Sequence, residues 1–188
     1  QIRAQLFATN IQSLADTLSI LGCDAIDRLA DLMVTSPQLC ILAQGRSVVT
    51  AASIKHRLHR LGIACCNYCD SHEQAMAASL MKKGEVVMGI STYGRSRTVL
   101  KNLRIAASNA GTEVGISSYR GTPLDEICDI MLVASSNEET SFGFEPSCAT
   151  VAQMVILDCL YILITNRMKE EASECFRLTC EAIESERE

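Results

Sequence analysis

The spacing of apolar residues changes at Pro37. Before it, Ile2, Leu6, Ile11, Leu14, Leu18 and Leu21 recur at steps of three to five residues, the rhythm of a helix. Gly22 ends that helix, and Asp24 can cap a second one carrying Ile26, Leu29 and Met33. After Pro37, short apolar runs of strand length alternate with amphipathic stretches. The runs are Leu39–Ala43, Ile63–Tyr68, Val86–Ile90, Glu113–Ile116 and Ile130–Ala134. Helical spacing returns between them, as in Val99, Leu100, Leu103, Ala106, Ala107 and Ala110, and Gly62, Gly84, Gly111 and Gly121 punctuate the joints. Alternation of this kind predicts parallel strands with helices on both faces. Past Phe144 only helix is predicted. One long helix covers Ser147 to Asn166, and a last one carries Met168, Ala172, Cys175, Phe176, Thr179 and Ile183 on one face.

Composition narrows the picture. The 188 residues are 48% hydrophobic but only 4% aromatic, with no tryptophan, which suits one aliphatic α/β core. A net charge of −5 repels phosphate backbones, so this chain is not expected to bind nucleic acid by itself. The basic run Lys55–Arg60 lies on a helix with Ile54, Leu58 and Leu61 inward and reads as a solvated face. The chain opens on Gln1, which reads as a processed start or a fragment, and shows no secretory signal pattern. The longest apolar stretch, Val151 to Ile164, is interrupted by Gln153 and Asp158 and falls short of the roughly 20 residues that span a bilayer. A core helix, and no membrane partner, is the expectation.

The ten cysteines lie mostly inside apolar runs, where they behave as small hydrophobes, and a reducing cytoplasm fits them. Only Cys66-x-x-Cys69 has the spacing of a zinc-ligand pair, and zinc sites need four ligands, so neither a metal nor another cofactor is expected.

In an open parallel sheet, ligands bind beyond the carboxyl ends of the strands where strand order reverses. Two loops fit that place. One follows the first strand as Gln44-Gly45-Arg46-Ser47, the other follows the third as Ser91-Thr92-Tyr93-Gly94-Arg95-Ser96. Gly94 permits a sharp turn close to an anion. Ser91, Thr92 and Ser96 offer hydroxyls, Ser96 would open a helix whose dipole attracts negative charge, and Arg95 can add a charged donor. The same residues also describe an ordinary strand–turn–helix joint with Ser96 as its N-cap.

The segment Ile90–Ser96 resembles the I-S-x-S-G-x-T phosphate loop of the SIS (sugar isomerase) family. Ala43-Gln44-Gly45-Arg46-Ser47 resembles that family's first loop, G-x-G-x-S. Asp70-Ser71-His72 is similar to the D-x-H after the second strand of RpiR-type transcriptional regulators, and Thr122–Ile130 to their S-P-L-x-x-x-A-D-x segment. The lead-in, residues 1–36, resembles the connector between a DNA-binding head and the sensor domain, here residues 37–188.

The resemblance implies a flavodoxin-like three-layer αβα sandwich with a five-stranded parallel sheet. It also implies a homodimer or higher homo-oligomer, and a sugar phosphate effector. DNA would be bound only through a helix-turn-helix domain absent from this chain. Ser47, Ser91 and Ser96 would hold the phosphate, Gly45, Thr92 and Gly94 would form the loops around it, and Glu145 would reach the sugar. The chain departs from the pattern at Tyr93, where a small hydroxyl is usual, at Ala43 for a glycine, and at Thr150 for an arginine. A sensor that binds without transforming its ligand is the expected function. An aldose–ketose isomerase using His72 and Glu145 as its acid–base pair is the alternative, and a scaffold whose pocket has lost its ligand is a third reading.

Overall fold

The computed structural model describes residues 1–109, 111–136 and 148–186. The chain begins with α1 (Ile2–Ile20) and α2 (Cys23–Thr35). Strands and helices then alternate through β1 (Leu39–Ala43), α3 (Ser47–Arg60), β2 (Cys65–Tyr68), α4 (Ser71–Ser79), β3 (Val86–Ile90), α5 (Arg97–Ala107), β4 (Thr112–Ser117) and β5 (Ile130–Val133). Two helices follow, α6 (Cys148–Met168) and α7 (Glu170–Glu184).

The strands form one parallel sheet in the order β2-β1-β3-β4-β5. β1 and β3 are buried at every position, so both read as unbroken apolar runs rather than alternating ones. Alternate side chains feed two cores. Leu39, Ile41, Val86, Met88, Ile90 and Ile116 face α2, α3 and α6. Cys40, Leu42 and Val87 face α4 and α5, where Val99 and Leu103 meet them. Each such aliphatic side chain contributes about 1.5–3 kcal/mol when fully buried, so the central strands are the most firmly fixed part of the fold.

The helix α6 outruns the apolar stretch that predicted it. By length and composition it could cross a bilayer, but Ala149, Ala152, Ile156, Leu157, Leu160 and Ile164 are buried against the sheet layer and its neighbouring helices. Asp158, one of the two interruptions, pairs with Arg57 of α3.

Two expectations are corrected. Gly22, not Asp24, is the N-cap of α2, and Asp24 sits in its first turn. The basic run is not wholly a solvated face. Lys55, His56 and His59 are exposed, but the Arg57 guanidinium lies 5.0 Å from the Tyr161 ring centroid and that of Arg60 4.1 Å from Phe176. Both arginines therefore knit α3 to the C-terminal helices. The apolar seam of α1 is divided between the domain and its outer surface. Ile2, Ile11 and Leu18 are exposed, Leu14 and Leu21 are partly buried, and the fully buried positions are Ser13 and Thr17. Both fasten α1 to the end of β5: the Ser13 hydroxyl donates to the Ser135 carbonyl at 2.5 Å, and Thr17 Oγ1 accepts from the Ser135 N–H at 2.9 Å.

Candidate functional site

The strand order turns back between β1 and β3: the chain leaves β1 for β2 on one side and crosses to β3 on the other. The two strands end level, with Ala43 opposite Ile90, so the loops after them emerge side by side. Between them lies a cleft of about 360 Å³ lined by Gln44, Arg46, Ser47, Ile90, Ser91, Thr92, Tyr93, Arg95 and Ser96. Four of the sequence-predicted residues, Ser47, Ser91, Thr92 and Ser96, thus line one cleft. Ser47 is the first residue of α3, and Ser96 is the N-cap of α5. Two helix N-termini therefore border the cleft, each with the positive end of its dipole.

The third-strand loop is closed by its own backbone. The Gly94 N–H donates to the Ser91 carbonyl at 2.9 Å, and the Ser96 N–H to Ser91 Oγ at 3.3 Å. Ser96 makes no side-chain cap, so its hydroxyl is not spent on the helix. Gly94 has φ +65, and a Cβ there would stand 2.3 Å from Thr122 Oγ1. The Thr122–Ile130 segment is the buttress behind the loop, since Thr122 and Leu124 are buried and the Leu124 N–H donates to the Gly94 carbonyl at 3.2 Å. Gly45, at φ +57, makes the turn into α3 but does not line the cleft.

Tyr93 does not fill the cradle. Its ring is 51% exposed and stacks with Tyr119 at 6.1 Å between centroids, forming a rim. Ala43 is buried at the end of β1, and its carbonyl accepts from Gln74 Nε2 at 2.8 Å. Gln74 also donates to the Tyr68 carbonyl at 2.8 Å and so ties the ends of β1 and β2 together.

His72 does not join the site. It lies exposed in the first turn of α4, where Asp70 caps the helix by accepting from the His72 and Glu73 N–H groups, bonds that hold the Asp70 carboxyl below its ordinary pKa. Glu145, the predicted sugar contact, lies outside the described residues. The Cys66-x-x-Cys69 pair is divided. Cys69 is exposed, while Cys66 sits opposite Cys40 in the β1–β2 register. The Cys40 thiol donates to it and holds the Cys66 thiol down to about 6, with help from Gln38 and Tyr68 and against the effect of burial.

Arg46, Gln44 and Gln153 were not singled out as site residues from the sequence. Arg46 and Gln44 belong to the first loop and were within reach of the same argument. Gln153 was legible only as a polar break in an apolar helix.

A family model described as the SIS domain matches residues 32–163, well over half of the chain. The chain belongs to the SIS domain family. Among curated relatives, the SIS domain described here is 25% identical over 169 residues to the HTH-type transcriptional regulator RpiR of Escherichia coli K12, covering 90% of this chain and 57% of that protein. The chain thus spans little more than half the length of that relative.

Two solved structures share the fold at a TM-score of 0.88 and 20% identity. One is the sugar isomerase domain of an RpiR transcription factor from Sphaerobacter thermophilus, with 96% of this chain and 99% of that one covered. The other is the Vibrio vulnificus NanR protein complexed with ManNAc-6P, with 97% and 69% covered. The expected SIS fold, with its five-stranded parallel sheet between helical layers, is borne out.

Proposed function

We propose that this SIS domain is the effector-sensing part of an RpiR-type transcriptional regulator, working in the cytoplasm. In this reading it binds a sugar phosphate in the β1–β3 cleft without transforming it. Ser47, Ser91, Thr92 and Ser96 receive the phosphate, with Gly45 and Gly94 shaping the two loops. Glu145 meets the sugar. Residues 1–36 connect this sensor to a DNA-binding domain outside the chain, and a homodimer presents two such heads to paired half-sites. Ligand binding then changes operator affinity by favouring one dimer arrangement over another, which requires unequal affinity for the two.

The carrying observation is the convergence of four hydroxyl side chains and two helix N-termini on one cleft at the point where strand order reverses. A volume of about 360 Å³ lies in the range of small-molecule sites. NanR, similar in fold, is solved with ManNAc-6P, and RpiR of E. coli, similar in sequence, is a regulator. Binding without turnover is supported by the position of His72, which lies outside the cleft lining.

A thermal-shift panel of ManNAc-6P, glucose 6-phosphate, fructose 6-phosphate and ribose 5-phosphate tests this, with the unphosphorylated sugars as controls. A ligand at 100 times its Kd stabilises by about 2.7 kcal/mol, a rise of about 5–10 °C for a chain of this size. The expected result is one responding sugar phosphate, silent controls, loss of the response in S91A/S96A, and no isomerised product. Turnover of that sugar would replace the sensor by an isomerase, and a flat panel would count against both.

A further inference from the structure

Gln153 interrupts the apolar body of α6 and is only 1% exposed. A buried amide is costly unless both of its ends find partners, and Gln153 has two. Its Oε1 accepts from the Thr50 hydroxyl of α3 at 3.3 Å, and its Nε2 donates to Thr92 Oγ1 at 3.2 Å. Thr50 is fully buried, whereas Thr92 lines the cleft.

The direction of these bonds sets the chemistry of the cleft wall. A threonine hydroxyl carries one proton and two lone pairs. Gln153 supplies the proton in its bond to Thr92, so Thr92 keeps its own, and no acceptor for it occurs among the described residues. The Thr92 backbone is held as well, its carbonyl accepting from the Ser117 hydroxyl at 3.1 Å and the Ser118 N–H at 2.8 Å. A fixed hydroxyl with an unspent proton therefore stands in the wall of the cleft. Resting on the reading of that cleft as a phosphate site, we infer that Gln153 is a positioning residue: its amide makes Thr92 a donor toward the cleft and biases the site toward ligands presenting anionic oxygen. The sharing of one amide between α3, α6 and the loop also gives the ligand a direct mechanical connection to α6.

The test uses inorganic phosphate as the probe and calorimetric affinity as the readout, on four chains: the unaltered one, Q153E, T92V and the double variant. The introduced carboxylate, once ionised at pH 8, can only accept, so the Thr92 hydroxyl turns its proton into a hydrogen bond to it and away from the cleft. Loss of a hydrogen bond to a charged ligand corresponds to roughly tenfold in affinity, which is the weakening expected for Q153E. In the T92V background the same change is expected to cost no more than about twofold, because the group through which Gln153 acts is gone. Near pH 5.5 a buried carboxyl is protonated and donates again, so the gap between Q153E and the unaltered chain should close.

Equal losses in both backgrounds would mean that the new charge or a packing defect acts directly, and would overturn the inference. So would unchanged affinity in Q153E. An unaltered chain deaf to phosphate would instead remove the anion site, and the role of Gln153 with it. If Q153E does not fold, as judged by circular dichroism, Q153M provides a neutral side chain of similar volume. It must weaken phosphate binding in the Thr92 background and not in T92V.

Discussion

Two residues show how much single positions decide here. Gly94 combines a left-handed backbone with a close neighbour, since φ is +65 and an added Cβ meets Thr122 at 2.3 Å. G94A is expected to cost about 2 kcal/mol or more, because alanine at positive φ is strained and the buried Thr122 must also move. For a chain of this length that is a fall in Tm of about 4–8 °C, and the loop should lose phosphate affinity with it.

Glu113 is a different case, a carboxyl buried near the start of β4 beside Asp129. Burial first, then the charge of Asp129 and a hydrogen bond to it, push the Glu113 pKa from 4.5 up to about 7. The folded state therefore holds this proton more tightly than the unfolded chain does. Its contribution to stability is complete below pH 4.5, declines as pH rises through 7, and stays lost above that. E113Q should be more stable than the unaltered chain at pH 8, by up to about 3 kcal/mol, and lose most of that advantage at pH 4.5. Urea denaturation at the two pH values measures it, and a pH-independent difference would mean that Glu113 titrates normally.

At the level of elements, what was legible and what was not follow from the range of the interactions involved. β1 and β3 were read residue for residue because strands buried on both faces announce themselves as continuous apolar runs. The site loops were legible for a related reason. A parallel sheet leaves few places for Gly and Ser to follow a strand and precede a helix, and the reversal of strand order selects one of them.

The lead-in helix was the opposite case. Its periodicity marks an apolar stripe of which Leu14 packs on the core, but its buried positions are Ser13 and Thr17, bonded to the backbone of Ser135, 122 and 118 residues away. No local pattern encodes a partner at that distance. Arg57 and Arg60 follow the same logic, because a charge run looks solvated until the rings of Tyr161 and Phe176 arrive from the far end of the chain. Gln153 belongs with them: the sequence shows a polar break, and only the fold shows that Thr50 and Thr92 lie on either side of it.

For the whole molecule, the outward face of α1 bears on assembly. Phe7, Ile11, Leu14 and Leu18 are spaced at intervals of four, three and four residues, which places them along one stripe of the helix. Phe7 and Leu18 are 71% and 78% exposed, on a helix whose buried positions are polar. Leu14 packs on the domain core, but Phe7, Ile11 and Leu18 beside it are exposed. An outward apolar row of that kind suits packing against a copy of itself, and two-fold dimers are the commonest soluble oligomers. Sedimentation velocity at micromolar concentration should give twice the mass of the chain. F7E/L18E should give the single mass, with a chemical melt of the domain core changed little, because exposed substitutions usually cost within about 0.5 kcal/mol. An unaltered chain that sediments as a monomer, or a variant that remains dimeric, would remove α1 from the interface. The sensor reading asks for more than a dimer. Since a ligand shifts a balance only by preferring one arrangement, a responding sugar phosphate should also change the dimer dissociation constant, and a ligand that binds tightly without changing it would leave the two sites energetically separate.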